Sequence, residues 1–289
     1  MTKNTYGILY VVATPIGNLA DITLRALEIL RTVDLIAAED TRHSRILLDH
    51  YGITTKMVSL HDYNENEKSQ FFRDLLVSGK NLALISDAGT PLISDPGYHL
   101  VNALRTQVKV VTIPGPCALI AALSIAGLPT DKFIFEGFLP AKMQAIHKRL
   151  RELMHETRTV VLYEAPHRLF NLVAAIREVL GATRYIVLAK ELTKTFETVY
   201  GGTVNDVQKW LEEDDKRARG EFVILIKGTE KATEITAQES ERILKILLTK
   251  LSLKDAAALV AEITGGNKRV LYQQALQLKN YGAQVQVGA

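Results

Sequence analysis

The 289-residue sequence contains a single cysteine, Cys117. That count excludes a disulfide framework and a four-cysteine zinc site, and it fits a reducing compartment. Long apolar runs are missing too. The longest, residues 118–128, is broken by Ser124 and is too short to cross a bilayer, so no membrane association is expected. The first residues, MTKNTYGILYVV, lack a charged n-region followed by an apolar stretch and a small-residue cleavage site, so no secretory signal is expected and the cytoplasm is the expected location. Neither sign of charge dominates. A net charge of +3 permits an anionic partner without demanding one. Named catalytic signatures are also absent: there is no G-x-x-x-x-G-K-[ST], no H-E-x-x-H and no G-x-S-x-G. The first strand candidate runs into ATPIGNLAD, with one glycine where a dinucleotide fingerprint needs three, which disfavours an NAD-type oxidoreductase. The His and acidic residues of AEDTRH and HDYNE lack the two-histidine i, i+4 spacing of a helical metal site, so no metal is expected.

What is present has the balance of a folded α/β protein: 47% hydrophobic, 23% charged and 7% aromatic residues. Strand-like runs at 8–13, 35–39, 81–86 and 108–113 alternate with helical windows at 23–33, 45–52 and 116–127, which predicts a mostly parallel sheet covered by helices. A boundary is expected near Gly127–Thr130. Beyond it, strands at 133–138, 159–164, 185–192, 197–202 and 221–228 predict a second α/β unit. The two consecutive strands either side of Lys194 should pair antiparallel, making this sheet mixed. Residues 236–249, 253–264 and 268–279 read as three helices. Their Gly-Gly turn suits either a helix-turn-helix or a plain helical cap. The expected domains are therefore 1–128, 129–229 and a helical tail, 230–289.

Four loop clusters fall at the C-terminal ends of predicted strands, the edge at which open α/β sheets bind ligands. They are TPIGNLAD (14–21), AEDTRHS (38–44), SDAGTPLISDPG (86–97) and IPGPCAL (113–119). The third is a twelve-residue break after a buried strand, with two Gly, two Pro and two Asp. A loop of that length is uncommon unless it binds something, although helix capping by Asp95 would also account for part of it.

TPIGNLADIT, AEDTRHS, SDAGTPLISDPGY, IPGPCALIAAL with AGLPTDKF, EGFLP, YEAPHRL, KELTKTFE and RGEFVILI resemble, in order, the motifs of the tetrapyrrole methylase superfamily. Within it the sequence is most similar to the ribosomal RNA small subunit methyltransferase I family, with AEDTRHS and YEAPHRL the most distinctive segments. The resemblance spans about residues 6–228, with further similarity in the tail. It implies two α/β domains with S-adenosyl-L-methionine in the cleft between them, and methylation of a cytidine ribose 2′-oxygen in 16S rRNA of the 30S subunit. It also implies a homodimer. A tetrapyrrole methyltransferase and a non-catalytic RNA-binding assembly factor are the alternatives.

The resemblance further implies a set of site residues. Pro15, Asp87, Ala88, Gly89, Thr90 and Ile93 are among the implied cofactor residues; the Gly89-Thr90-Pro91 stretch matches the loop holding the methionine part, and Thr90 stands where porphyrin-modifying relatives often carry Asp. The ammonium would then fall to backbone carbonyls or to Asp87. Pro114, Gly115, Cys117 and Ala118 match a second loop beside the cofactor, with Cys117 as a small lining residue and not a nucleophile. Tyr163, Glu164, Ala165, Glu191, Leu192, Glu221, Phe222 and Val223 match segments around the adenine. A ribose hydroxyl benefits from a base. Asp40 is the first candidate, with Glu39 and His43 beside it and Lys190 a further candidate for positioning or for stabilising an alkoxide. Asp40 could equally cap the next helix and pair with Arg42. Arg42 and Arg45 could hold RNA phosphate. Lys148 and Arg149 (within 142–151), Arg217 and Arg219 (within 216–219), and residues 267–269 form basic clusters suited to RNA backbone. Tyr63, Phe71 and Phe72 could stack on bases, although core packing is the ordinary use of such phenylalanines.

Overall fold

A computed structural model describes residues 6–61, 64–229 and 237–285; Tyr63 lies outside the described residues. The first sheet has five strands, β1 (Ile8–Val12), β2 (Leu35–Ala38), β3 (Met57–Ser59), β4 (Leu82–Ile85) and β5 (Lys109–Ile113), in the order β3-β2-β4-β1-β5. Every pairing in it is parallel. β3 is not legible in the sequence because three half-buried residues are too few to show a period. The intervening helices are α1 (Leu24–Thr32), α2 (Thr41–His50), α3 (Glu65–Val77), α4 (Tyr98–Leu104) and α5 (Ala118–Ile125). Side chains of α1 and α2 pack on one face of the sheet with Val12, Ile36 and Ile85. Those of α3 and α4 pack on the other, with Leu9 and Leu84. Phe72 is fully buried there, and Phe71 is left half out. The chain leaves neighbouring strands β1 and β4 in opposite directions, which opens a crevice at their C-terminal ends.

The second sheet comprises β6 (Phe133–Phe138), β7 (Thr159–Glu164), β8 (Tyr185–Lys190), β9 (Thr198–Thr203) and β10 (Phe222–Ile226), in the order β6-β7-β10-β8-β9. Only β6–β7 is parallel, so the sheet is mixed as expected. Its helices are α6 (Met143–Glu152), α7 (Leu169–Leu180) and α8 (Val204–Glu212). Thr203 and Asp206 close a reciprocal capping box at the start of α8. α5, which follows the first sheet, packs Leu119, Ala122 and Leu123 against Val161, Val187 and Val223 of the second. Both sheets thus belong to one compact unit, residues 1–154 and 158–227.

Residues 155–157 and 228–289 make a second compact unit. Its helices are α9 (Ala237–Leu248), α10 (Leu253–Thr264) and α11 (Lys268–Val285). Ala256, Ala257 and Ala275 are fully buried beside Leu244 and Val260, and such small side chains let helices approach closely. Ser252 caps α10, and Gly265 ends it in the left-handed region at φ +67°. Among the described residues, no helix is long and apolar enough to cross a membrane.

Candidate cofactor and acceptor cavities

The antiparallel register of β7, β10 and β8 sets Glu164, Phe222 and Lys190 in one row, and Tyr163, Val223 and Ala189 in the next. These rows face the loops that follow β1, β2, β4 and β5. A cavity of about 360 Å³ lies among them, within the size range of ligand pockets. Of the cofactor residues expected from the sequence, Asp87, Ala88, Gly89, Thr90, Ile93, Cys117, Ala118, Tyr163, Glu164, Ala165, Leu192, Glu221, Phe222 and Val223 line it. Pro114, Gly115 and Glu191 do not, and Pro15 lines a neighbouring cavity instead. Ile16, Glu39, Ser94, Asp95, Phe138, Pro166 and Ala189 also line the first cavity and were missed as cofactor residues. Phe138 could have been suspected from EGFLP. Ala189 and Ile16 carry no sequence signal beyond their place on a strand or loop.

Loop-to-loop hydrogen bonds shape the walls. Gly89 exchanges two backbone bonds with Thr14, at 2.8 and 3.0 Å. It does so at φ +85°, which favours glycine. The Thr90 hydroxyl donates to the Pro116 carbonyl at 3.0 Å, which fastens two loops together. The Tyr163 hydroxyl accepts from the Leu119 N–H at 3.0 Å. Burial, followed by the neighbouring Cys117, raises the Tyr163 pKa well above the ordinary phenol value. Among the described residues, the four non-glycine residues at positive φ are Leu92, Ser94, Glu191 and Thr193, all in the two loops bordering the cavities. Strain of this kind persists where surrounding structure enforces it.

Glu164 is 2% exposed. Its Oε1 accepts from the Ala165 N–H at 2.9 Å and faces Arg168 at 3.2 Å, whereas its Oε2 is buried with no partner. Burial raises its pKa, and the Ala165 N–H and Arg168 only partly oppose that. A buried acceptor without a donor is costly, and this one belongs to a cavity-lining side chain.

A second cavity, of about 460 Å³, adjoins the first. Ile16, Asp87, Ala88 and Glu221 line both. Its own lining includes Pro15, Asn18, Leu19, His43, Ser44, Ile46 and Lys194. The Lys194 ammonium lies 3.0 Å from both Glu191 Oε1 and Glu221 Oε2. Its aliphatic stem lies 2.5 Å, at Cγ, from where a Cβ on Gly17 would be, so a side chain at position 17 would force Lys194 to shift.

The structure places several of the expected residues outside both cavities. Asp40 lines neither cavity. It is the N-cap of α2, accepting from the Arg42 N–H at 2.8 Å, and it pairs with the Arg42 guanidinium at 2.9 Å. These bonds hold its carboxyl down to about 2, with the Arg42 side chain the larger cause, which leaves it a poor base. Asn caps helices as well as Asp does. Asp40→Asn is therefore expected to leave methyl transfer and cofactor affinity unchanged, and Asp40→Ala to lower the melting temperature, both readable by calorimetry and a transfer assay. Lys190 donates to the Lys216 carbonyl and lies outside both cavities. The Arg149 guanidinium is bound to Glu136 through two 2.7 Å contacts and to Glu152 at 2.6 Å. Arg217 bonds the Trp210 carbonyl and Glu213 and lies 5.0 Å over the Trp210 ring. Both guanidiniums are engaged within the protein. Arg42, Arg45, Lys148 and Arg219 remain exposed, with Arg45 in a loose 3.8 Å pair with Asp49.

Residues 8–208 match the tetrapyrrole (corrin/porphyrin) methylases, and residues 234–279 match the RsmI C-terminal HTH domain. The chain is 52% identical to "Ribosomal RNA small subunit methyltransferase I" of Escherichia coli O157:H7, over 95% of this chain and 96% of that one. It is 54% identical to the protein of the same name from Pseudomonas aeruginosa, over 94% and 97%. Among solved structures it is similar to uroporphyrin-III-C-methyltransferase from Thermus thermophilus, at 19% identity and a TM-score of 0.54, covering 81% of this chain and 98% of that one. That last likeness concerns the fold alone.

Proposed function

The chain belongs to the tetrapyrrole methylase family, and from that premise we propose that it methylates the ribose 2′-oxygen of a cytidine in 16S rRNA of the 30S subunit. The observation that carries this reading is the pair of adjoining cavities sharing a wall of Ile16, Asp87, Ala88 and Glu221, one for a donor and one for an acceptor. The cofactor is S-adenosyl-L-methionine, which when bound supplies a methyl group already activated on a sulfonium. The first cavity suits it: the partnerless Glu164 Oε2 is a ready acceptor for the adenine amino group, and Asp87 is placed for the ammonium.

The protein's task is alignment of oxygen, methyl carbon and sulfur in line. Bound S-adenosyl-L-methionine would supply the methyl group, and the proton that the acceptor hydroxyl loses would pass to a base of this chain. His43 takes that role in this reading, because its imidazole lines the acceptor cavity and Asp40 is committed to capping. Arg42, Arg45, Lys148 and Arg219 attract the RNA backbone. Replacing Lys148 or Arg219 by Ala is expected to weaken RNA binding and to flatten the plot of log affinity against log salt by about 1 per lost phosphate contact. Replacing Arg149 should instead lower the melting temperature. The active form in this reading is a cytoplasmic homodimer, a state that sedimentation would test.

The deciding experiment offers labelled S-adenosylmethionine with three acceptors: 30S subunits lacking the modification, naked 16S rRNA, and a uroporphyrinogen. Label in an alkali-resistant dinucleotide from 30S RNA is the expected result. Label in the porphyrin alone would overturn the reading.

A further inference from the structure

Several hydroxyl side chains on the helices of this protein satisfy themselves by donating to a carbonyl three or four residues back, as Ser124 does to Ala121 at 2.7 Å. Thr32 does so to Glu28 at 2.9 Å, Ser69 to Glu65 at 2.6 Å and Thr264 to Val260 at 2.7 Å. Ser44, in the first turn of α2, does not. It is 3% exposed, its Oγ is buried without any hydrogen-bond partner, and it lines the second cavity. A hydroxyl both donates and accepts, so burying one unsatisfied is unfavourable unless a ligand completes it.

Ser44, like His43 before it in α2, lines the second cavity and not the first. Around it the second cavity mixes apolar surface from Ile46 and Leu19 with polar groups from Asn18, His43 and Lys194. A single nucleoside presents the same mixture, with apolar base faces, polar base edges and ribose hydroxyls. Unstacked bases are the part of RNA that proteins read by hydrogen bonding.

We infer that the second cavity receives one nucleoside swung out of the RNA chain, and that the Ser44 hydroxyl bonds the polar edge of its base. The ribose 2′-oxygen then lies between the His43 side chain and the shared wall of Asp87 and Ala88, and the polar edge of the base meets Ser44. Ser44 is thereby a specificity-determining residue for the acceptor. This inference rests on the RNA methylation reading and adds to it the place and the recognition of the base.

The test compares the intact wild-type protein with Ser44→Ala on 30S subunits lacking the modification, carrying either cytidine or uridine at the acceptor position. Ser44→Ala is expected to lower kcat/KM for the cytidine substrate about tenfold, to narrow the preference over uridine, and to leave the Kd for S-adenosylmethionine unchanged. Its melting temperature should equal or exceed that of the wild type, because the lost hydroxyl has no partner inside the protein. Unchanged kcat/KM and base preference in an active protein would overturn the Ser44 inference alone. A fall in cofactor affinity would assign Ser44 to the donor cavity, and a lower melting temperature would show an internal structural role; either would also overturn it. Failure of the wild type to methylate RNA at all would overturn the RNA reading, and the inference with it.

Discussion

His43→Ala is expected to lower kcat for methyl transfer by about a hundredfold to ten-thousandfold, the usual contribution of a positioned acid–base group, while the Kd for S-adenosylmethionine stays constant. The reason is location. His43 lines the second cavity only, and the first cavity is bounded by other residues. The competing carboxylate, Asp40, is held near 2 by Arg42 and by the N–H groups it caps. Single-turnover kinetics, with product release removed from the measurement, would read the chemical step directly. A pH dependence of that step present in the wild type and missing in His43→Ala would identify the imidazole as the proton acceptor. Equal single-turnover rates would instead transfer the role to one of the two carboxylates lining both cavities, Asp87 or Glu221.

The second large effect is expected at Glu164. Glu164→Gln replaces one carboxylate oxygen by an NH₂ of almost the same size, which cannot accept a hydrogen bond from an adenine amino group. Hydrogen bonds to charged groups contribute about 1.5–3 kcal/mol, so the Kd for S-adenosylmethionine should rise roughly tenfold to hundredfold, as read by titration calorimetry. Stability should move the other way. Because burial raises the Glu164 pKa in the folded protein, the folded state holds its proton more tightly than the unfolded chain does. Stability of the wild type is then lost as pH rises through the window between the ordinary carboxylate value and the raised one. Gln has no charge to desolvate and removes that loss. The melting temperature of Glu164→Gln should equal or exceed that of the wild type at neutral pH and show a smaller gain on acidification. A variant that melts lower at neutral pH and binds cofactor normally would mean that the pairing with Arg168 matters more than the empty face of the carboxylate.

These two residues differ in how far the sequence revealed them. Glu164 lay in YEAPHRL, and the resemblance already associated it with the adenine. Its partnerless oxygen could not be read from any spacing, because whether Oε2 meets a donor depends on what the other strands bring to it. His43 and Asp40 sat three residues apart in one motif, and both readings of Asp40, base or cap, were open. The cap is visible in the structure: α2 begins at Thr41 and Asp40 accepts from the Arg42 N–H, while His43 falls on the first turn and lines the second cavity. Lys190 and Lys194 show the same limit. The antiparallel pairing around them was legible, but which lysine faces the cavity was not. Register on β8 leaves Lys190 reaching the Lys216 carbonyl, and the turn beyond it, strained at Glu191 and Thr193, carries Lys194 to Glu221.

The sequence by itself determined the alternation of strands and helices, the mixed second sheet, the helical tail and the four strand-end loops. Each of these follows from local periodicity and from Gly, Pro and Asp at chain turns, which act within a few residues. Only the tertiary structure decided that those loops share two adjoining cavities, that Arg149 and Arg217 pair with carboxylates of this chain, and that Ser44 alone among the compared helical hydroxyls lacks a partner. Satisfaction of a polar group depends on atoms distant in the chain, and folding is what brings them within 3 Å or leaves them apart.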